Sequence, residues 1–264
     1  MEGKNKMLEQ TRNQISEMKL FGMLKSLDLR LQESISQGWG PSEFLSAVVT
    51  DERTYRESQK INRRLKAASF RTQATFETID YTAKRTLTKA TVRDLMQLNY
   101  IKAAPRNVMM VGPTGVGKTF VATALGNHAC RHGFTTVFMG ISVFIEKLLM
   151  ARTDGTYLRL RDRLIKTDFL IIDDIGLKKI PPQIVQDLHD LLEERQEKCT
   201  LITSQLPLKN WKEIIDDELA LDTVVDKLQH GSLHIDIEGD SYRKKKSQRA
   251  KLDKDSVPVE ITNQ

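Results

Sequence analysis

Apolar residues recur at helical spacing in the N-terminal quarter of the chain. Between Met7 and Leu31 they lie three or four residues apart, at Met18, Phe21, Leu24, Leu27 and Leu31, which predicts one amphipathic helix. Gly38, Gly40 and Pro41 interrupt the pattern. A second helix is predicted from an N-cap at Ser42 to about Lys66. We therefore predict an all-helical domain over residues 1–70.

From Asn107 onward, apolar runs of strand length alternate with segments of helix length. The predicted strands are 107–111, 135–139, 169–172, 199–203 and 233–237. This alternation predicts an α/β fold, a parallel sheet with helices on both faces. We predict that this domain spans residues 107–246, that residues 71–106 connect it to the helical domain, and that the polar residues 247–264 form a disordered tail.

The chain of 264 residues carries a net charge of +6 and is basic, with a pI near 9.2. Basic residues concentrate in two stretches, 53–71 and 152–166. Each stretch could be a solvated surface or could follow the phosphates of a polyanion. The two cysteines, Cys130 and Cys199, lie in apolar or helical sequence without metal-ligand spacing, which predicts buried thiols. The sequence has no membrane-length apolar run and no signal-peptide pattern, so we expect a cytoplasmic protein.

One loop carries the clearest chemistry. Its eight residues, Gly112, Pro113, Thr114, Gly115, Val116, Gly117, Lys118 and Thr119, fit the pattern G-x-x-x-x-G-K-[ST] at every fixed position. A predicted strand precedes the loop and a predicted helix follows it, the context in which backbone N–H groups surround phosphates. Lys118 would contact the β- and γ-phosphates, and the hydroxyl of Thr119 would reach Mg²⁺.

Two carboxylates end a buried apolar strand, and they complete the predicted nucleotide site. Asp173 and Asp174 directly follow the run 169–172, where charges are costly unless they meet a cation. We predict that Asp173 helps to hold Mg²⁺ and that Asp174 orients or polarises the attacking water. Thr203-Ser204-Gln205 ends the neighbouring strand, and Gln205 is the candidate polar residue from that strand.

These residues, together with more particular flanking motifs, resemble the IstB-like family, the AAA+ ATP-binding helpers of insertion-sequence transposases. The resemblance spans about 15–246. It rests on Pro41–Leu45 with Glu52 and Arg56, on Arg63–Phe70, Ile79–Tyr81, the phosphate loop, Asp173–Gly176, Thr203–Pro207 and Gly239–Arg243. It implies an AAA+ P-loop NTPase fold with a reduced or missing lid. It also implies ATP-dependent self-assembly on duplex DNA, DNA bending and a transposase partner.

The resemblance further implies an ATP site between subunits of a homo-oligomer, where a basic residue of the neighbour touches the γ-phosphate. Lys227 holds the matching position, where relatives usually have Arg, and Arg195 is an alternative. Asp174 stands where many ATPases of this class have Glu. Arg243 resembles the family's nucleotide-sensing residue. The segment 152–166 holds the place of DNA-contacting residues in initiator-type relatives, whose phosphate contacts would be largely neutral to sequence.

The function predicted from the sequence is that of a slow ATPase that binds ATP, Mg²⁺ and duplex DNA and assists the transposase of an insertion sequence. Two alternatives stay open. One is a helicase loader, the same machinery serving a replicative helicase. The other is a nucleotide-gated DNA-binding scaffold with negligible turnover, which the departures at Lys227 and Asp174 favour.

Overall fold

The computed structural model describes residues 2–80, 86–102, 107–176, 178–230, 232–239 and 241. The chain divides into two compact units, Met1–Arg63 and Arg64–Gln264. The predicted domain limits at residues 70, 106 and 246 stay predictions. Both Arg243 and the predicted tail over 247–264 lie outside the described residues.

The first unit is helical, but its first helix differs from the prediction. The helices are α1 (Glu2–Glu17), α2 (Phe21–Gln37) and α3 (Pro41–Ala68). The prediction of one continuous helix from Met7 to Leu31 is wrong, because the chain turns at Lys19, where φ is 58°. The carboxylate of Glu52 then accepts hydrogen bonds from the N–H groups of Gly22 (2.6 Å) and Met23 (3.1 Å). It satisfies the free donors at the start of α2, a contact that helical spacing alone cannot reveal.

The second unit is built on five parallel strands, which confirms the predicted α/β class. They are β1 (Asn107–Val111), β2 (Thr136–Gly140), β3 (Phe169–Ile175), β4 (Cys199–Ser204) and β5 (Ser232–Asp236). Their order across the sheet is β2-β3-β4-β1-β5. Since β4 lies between β1 and β3, the carboxyl ends of these three strands meet at one edge of the sheet. The phosphate loop and both predicted acidic residues are located there.

Helices cover both faces of this sheet. They are α4 (Lys89–Met96), α5 (Asn99–Lys102), α6 (Lys118–Arg131), α7 (Ile141–Thr153), α8 (Tyr157–Lys166), α9 (Pro182–Glu194) and α10 (Glu218–His230), with 3₁₀ turns at Phe76–Thr78 and Leu208–Glu213. Helix α6 and buried side chains of residues 74–79 and 87–101 cover one face, so the predicted connector supplies core side chains. Helices α7 to α10 bury the other face. Cys130 and Cys199 are free and buried, as predicted.

Arg195 is part of this core, and the alternative that made it a contact to a neighbouring subunit is wrong. Its side chain is 1% exposed. Nη1 donates to the carbonyl oxygens of Leu164 (2.5 Å) and Thr167 (2.6 Å), and Nη2 donates to that of Cys199 (2.7 Å). Burial lowers the pKa of Arg195 to about 10, so the guanidinium stays charged at neutral pH. It ties the end of α8 to the start of β4.

We expect Arg195→Ala to lower the free energy of unfolding by about 2–3 kcal/mol, because it leaves buried carbonyl oxygens without donors. Urea unfolding measures the effect. Glu197→Ala, an exposed change two residues away, is the control and should stay within about 0.5 kcal/mol of the parent. Equal midpoints for the two variants would contradict the structural role of Arg195.

Candidate nucleotide site

The phosphate loop joins β1 to the first turn of α6. Lys118 begins that helix and is 4% exposed. Its Nζ donates to the carbonyl oxygens of Gly112 (2.7 Å) and Pro113 (3.0 Å), so the ammonium lies inside its own loop. Gly115 has a φ of 89°, in the left-handed region that favours glycine. The loop therefore presents a buried cation and a helix N-terminus at one point, an arrangement suited to an anion.

Both predicted acidic residues lie in a β-bulge at the end of β3. Ile172 pairs with Ile202 and Ile175 pairs with Ser204, so Asp173 and Asp174 together stand opposite Thr203. The Thr203 hydroxyl donates to Oδ1 of Asp173 (2.6 Å) and accepts the N–H of Asp174 (2.9 Å). Asp174 has a φ of 65°, which Asp and Asn tolerate better than most residues. The bulge places two successive acidic residues at the carboxyl end of β3.

Thr203 belongs to the candidate site through hydrogen bonds that the sequence did not predict. The motif Thr203-Ser204-Gln205 marked a polar strand end and suggested Gln205. The two hydrogen bonds of Thr203 to the bulge depend on the register of β3 and β4. That register cannot be predicted from the local sequence around Thr203. A buried Thr directly before the polar strand end was the available signal.

Asp173 has the properties expected of a metal ligand. It is fully buried, and its Oδ2 has no hydrogen-bond partner among the described residues. Burial and the neighbouring charge of Asp174 raise the pKa of Asp173, while Thr203, Thr119 and Arg71 lower it, with burial the largest effect and a net rise. No group of three or more His, Cys, Asp or Glu side chains that could hold a metal occurs within the described ranges. A Mg²⁺ site does not require such a group, because this ion commonly takes one or two protein ligands and completes its coordination with phosphate and water oxygens.

We expect Asp173→Asn to raise the melting temperature of the nucleotide-free protein while it weakens Mg²⁺-dependent nucleotide binding. The folded pKa of Asp173 lies above the unfolded value, so the ionised carboxylate destabilises the fold at every pH above the folded pKa. Asn keeps an oxygen for the Thr203 hydroxyl without the charge. A rise of about 2–4 °C corresponds to about 1 kcal/mol in a protein of this size.

Thermal unfolding without nucleotide tests that prediction, with Thr203→Val as the comparison. Removal of the Thr203 hydroxyl takes a hydrogen bond from the same carboxylate, so this variant should melt at a lower temperature than the parent. An Asp173→Asn variant that melts below the parent would contradict the view that this carboxylate is held ready for a cation.

Gln205 touches the phosphate loop. The Thr114 hydroxyl donates to Oε1 of Gln205 (2.7 Å), across 91 residues of chain. The backbone N–H of Gln205 donates to the carbonyl oxygen of Ile175 (3.0 Å), next to the bulge. Gln205 therefore contacts the loop through its side chain and the carboxylate strand through its backbone.

Lys227 lies on α10 and pairs with Glu193 of α9 in the same chain. The ion pair lowers the pKa of Glu193, and the Lys227 side chain is 22% exposed. The predicted contact of Lys227 with a neighbouring subunit stays a prediction, and it requires this pair to open.

The end of the described chain packs on the phosphate loop. The N–H of Ile237 donates to the carbonyl oxygen of Val111 (2.8 Å). A β-carbon on Gly115 would collide with Oγ of Ser241, so Ser241 is in direct contact with the loop. The segment that leads to the predicted sensor Arg243 therefore begins at the nucleotide site, although Arg243 itself is outside the described residues.

The basic stretch 152–166 presents fewer available charges than its sequence suggests. Arg152 pairs with Asp187 and lies over the Tyr157 ring, and Arg161 pairs with Glu194. Three basic side chains of α8 remain exposed, Arg159, Arg163 and Lys166. A phosphate-contacting role for α8 would rest on these three.

Comparison with known proteins identifies the family. A family model described as IstB-like ATP binding protein matches residues 13–250. The chain belongs to this family. One relative is a Sinorhizobium fredii protein whose name describes it as an insertion sequence ATP-binding protein. It is 34% identical to this IstB-like chain, over 91% of this chain and 98% of its own length. A similarly named protein of Mycobacterium tuberculosis is 35% identical over 89% of this chain and 94% of its own.

The architecture of this IstB-like chain is shared with solved protein structures. A replication initiator DnaA, bound to AMPPCP and single-stranded DNA, superposes with a TM-score of 0.55 at 17% identity, over 72% of this chain and 58% of that one. At this identity the likeness shows the fold alone. Within the described ranges, no helix has the length and apolar character needed to cross a membrane.

Proposed function

We propose that this IstB-like protein is an ATP-dependent DNA-binding ATPase that assembles on duplex DNA and assists the transposase of an insertion sequence. The observation that carries the catalytic part is the buried Oδ2 of Asp173, which has no hydrogen-bond partner among the residues that the structure describes and lies at the sheet edge that holds Lys118 and Thr119. An unpaired buried carboxylate oxygen is costly. A magnesium–nucleotide complex would satisfy it.

The residues have distinct proposed roles in hydrolysis. Lys118 leaves its two loop carbonyls and binds the β- and γ-phosphates. Thr119 and Asp173 hold Mg²⁺, which would neutralise charge on those phosphates. Asp174 orients the attacking water and accepts its proton, and Gln205 positions the terminal phosphate. Each group lies at the carboxyl edge of β1, β3 or β4, so one bound nucleotide could meet all of them once Lys118 has turned toward the phosphates.

The DNA part of the proposal rests on exposed basic side chains. Of the six basic residues at positions 53–66, Lys60, Arg63 and Lys66 are exposed and have no hydrogen bond or ion pair among the described residues. These residues could bind backbone phosphates without reading bases, and so, separately, could the three exposed basic residues of α8. The names of the relatives support an insertion-sequence context, and hence a transposase partner.

A scaffold with negligible turnover is the second candidate, and the Lys227–Glu193 pair favours it. A lysine already paired within its own subunit is a poor donor to the phosphate of a neighbour, and it lacks the planar fork of arginine. In that case ATP binding alone would order the subunits, and hydrolysis would play no part in their release.

Fluorescence anisotropy with a labelled random-sequence duplex, in ATP, ADP or AMPPCP, tests the assembly. We expect ATP and AMPPCP to tighten binding relative to ADP and no nucleotide, and the affinity to fall steeply with salt. Affinity that is independent of nucleotide would contradict the proposal. Phosphate release with and without duplex separates ATPase from scaffold, since the scaffold releases none above background.

Co-purification identifies the partner. Tagged protein is incubated with ATP, duplex and either an insertion-sequence transposase or a replicative helicase. We expect retention of the transposase alone. Retention of the helicase without the transposase would replace this proposal with the helicase-loader function.

A further inference from the structure

Arg71 lies just after the turn that ends α3, at the edge of the sheet that holds the candidate nucleotide site. Helix α3 ends at Ala68, and Ser69 has a φ of 59°. Phe70 then packs edge-on against Phe138 of β2, with ring centroids 6.0 Å apart. A β-carbon on Gly126 would lie 2.6 Å from the Phe70 ring. Phe70 is thus fixed between α6 and the sheet, and it determines where the next side chain can go.

The Arg71 guanidinium lies against Gly140, the last residue of β2. A β-carbon at Gly140 would stand 2.6 Å from Nη2 of Arg71 and 3.1 Å from its Cζ. Gly140 pairs in register with Asp173, so the guanidinium lies beside the strand position of the buried carboxylate. Consistent with this placement, the charge of Arg71 lowers the pKa of Asp173, although burial outweighs it.

The N–H donors of the Arg71 guanidinium are available for a ligand. No hydrogen bond or ion pair of Arg71 occurs within the described ranges, and the residue is exposed. Arg fits phosphate oxygens because its planar fork carries five N–H donors. Arg71 therefore presents unused phosphate-binding capacity at the edge where the nucleotide would lie.

The order of the strands indicates which phosphate it would meet. The loop that holds the first phosphates follows β1. Asp173 lies two strands away on β3, and Arg71 lies beyond it at β2. Of the phosphates of a nucleotide held in the loop, the outermost would therefore lie nearest to Arg71, and a diphosphate would lack that group.

We propose that Arg71 is a further nucleotide-binding residue, which donates hydrogen bonds to the terminal phosphate of ATP from within the same subunit and thereby distinguishes ATP from ADP. The inference rests on the proposed nucleotide site. It gives the site a second cation that does not depend on a neighbouring subunit, whereas Lys227 is paired with Glu193.

The test compares the affinities of fluorescent AMPPCP and ADP in the presence of Mg²⁺. We expect Arg71→Ala to weaken AMPPCP binding about tenfold, or about 1.4 kcal/mol, and to leave ADP binding within twofold. Gly140→Ala should act in the same way, because its methyl group displaces the guanidinium while Arg71 is retained. Gly140 has φ −70° and ψ 149°, which alanine adopts without strain.

Arg93→Ala, an exposed arginine on α4, is the matched control and should change neither affinity. Equal losses for both nucleotides, or no loss in either variant, would overturn the proposal. If the parent protein binds neither nucleotide, the proposed nucleotide site itself has failed. A selective loss of AMPPCP affinity in both variants supports Arg71 as a binding residue, and melting curves confirm that each variant is folded.

Discussion

Lys118→Ala will abolish ATP binding and, with it, ATP-dependent assembly on DNA. The ammonium is buried between the carbonyl oxygens of Gly112 and Pro113, at the point where the phosphates of ATP would need a positive charge. Without it, those carbonyls and the phosphates would face one another unscreened. We expect the nucleotide dissociation constant to rise at least about 100-fold, which is about 2.7 kcal/mol.

Titration with fluorescent ATP measures this loss, and anisotropy with labelled duplex measures assembly. Lys212→Ala removes an exposed lysine of the same unit and should change neither quantity. Nucleotide-free DNA binding of Lys118→Ala should equal that of the parent, because the loop lysine is not part of the exposed basic surface. Assembly that survives in Lys118→Ala at saturating ATP would count against the nucleotide-gated model.

Asp174→Asn will retain ATP and trap the assembled complex. The asparagine side chain has nearly the same shape and accepts the left-handed backbone at this position, where φ is 65°. The hydrogen bond from the Asp174 N–H to Thr203 is also kept. Only the carboxylate that would accept a proton from water is lost. We expect hydrolysis to fall about 100- to 1,000-fold, with ATP affinity within about threefold of the parent.

Single-turnover phosphate release and the lifetime of complexes on duplex DNA report this effect. Asp94→Asn, an exposed change on α4, is the control. If Asp174→Asn fails to bind ATP, the role assigned to the carboxylate is wrong. If the parent itself releases no phosphate, the scaffold function applies, and the variant should then match the parent in every measurement.

The two variants also distinguish two kinds of charge in the site. Lys118 belongs to a preformed anion-binding loop, so its loss acts on binding. Asp174 stands on a bulge stabilised by Thr203, so its loss acts on the chemical step. Arg71 and Lys227 would each add a cation at the outer phosphate, one from within the subunit and one from a neighbour. Their relative contribution decides how strongly turnover depends on assembly.

Much of the fold could be read from the sequence because its signals are local. Each predicted strand was found within two or three residues, since continuous apolar runs such as Phe169–Ile172 are buried on both faces of a parallel sheet. Helix ends were less certain. Apolar residues continue at a spacing of three across the turn at Lys19, so periodicity alone predicted one helix where two exist.

The sequence by itself determined the phosphate loop, the α/β architecture and the family. These depend on consecutive residues, whose backbone conformation and burial follow from local composition. The tertiary structure alone decided which charged residues are available. It buried Arg195 among carbonyl oxygens, paired Lys227 with Glu193, joined Thr203 to Asp173 and brought Arg71 to Gly140. The partners in each case are distant in sequence or lie on separate elements, and a charged residue carries no local sign of which partner the packing will supply.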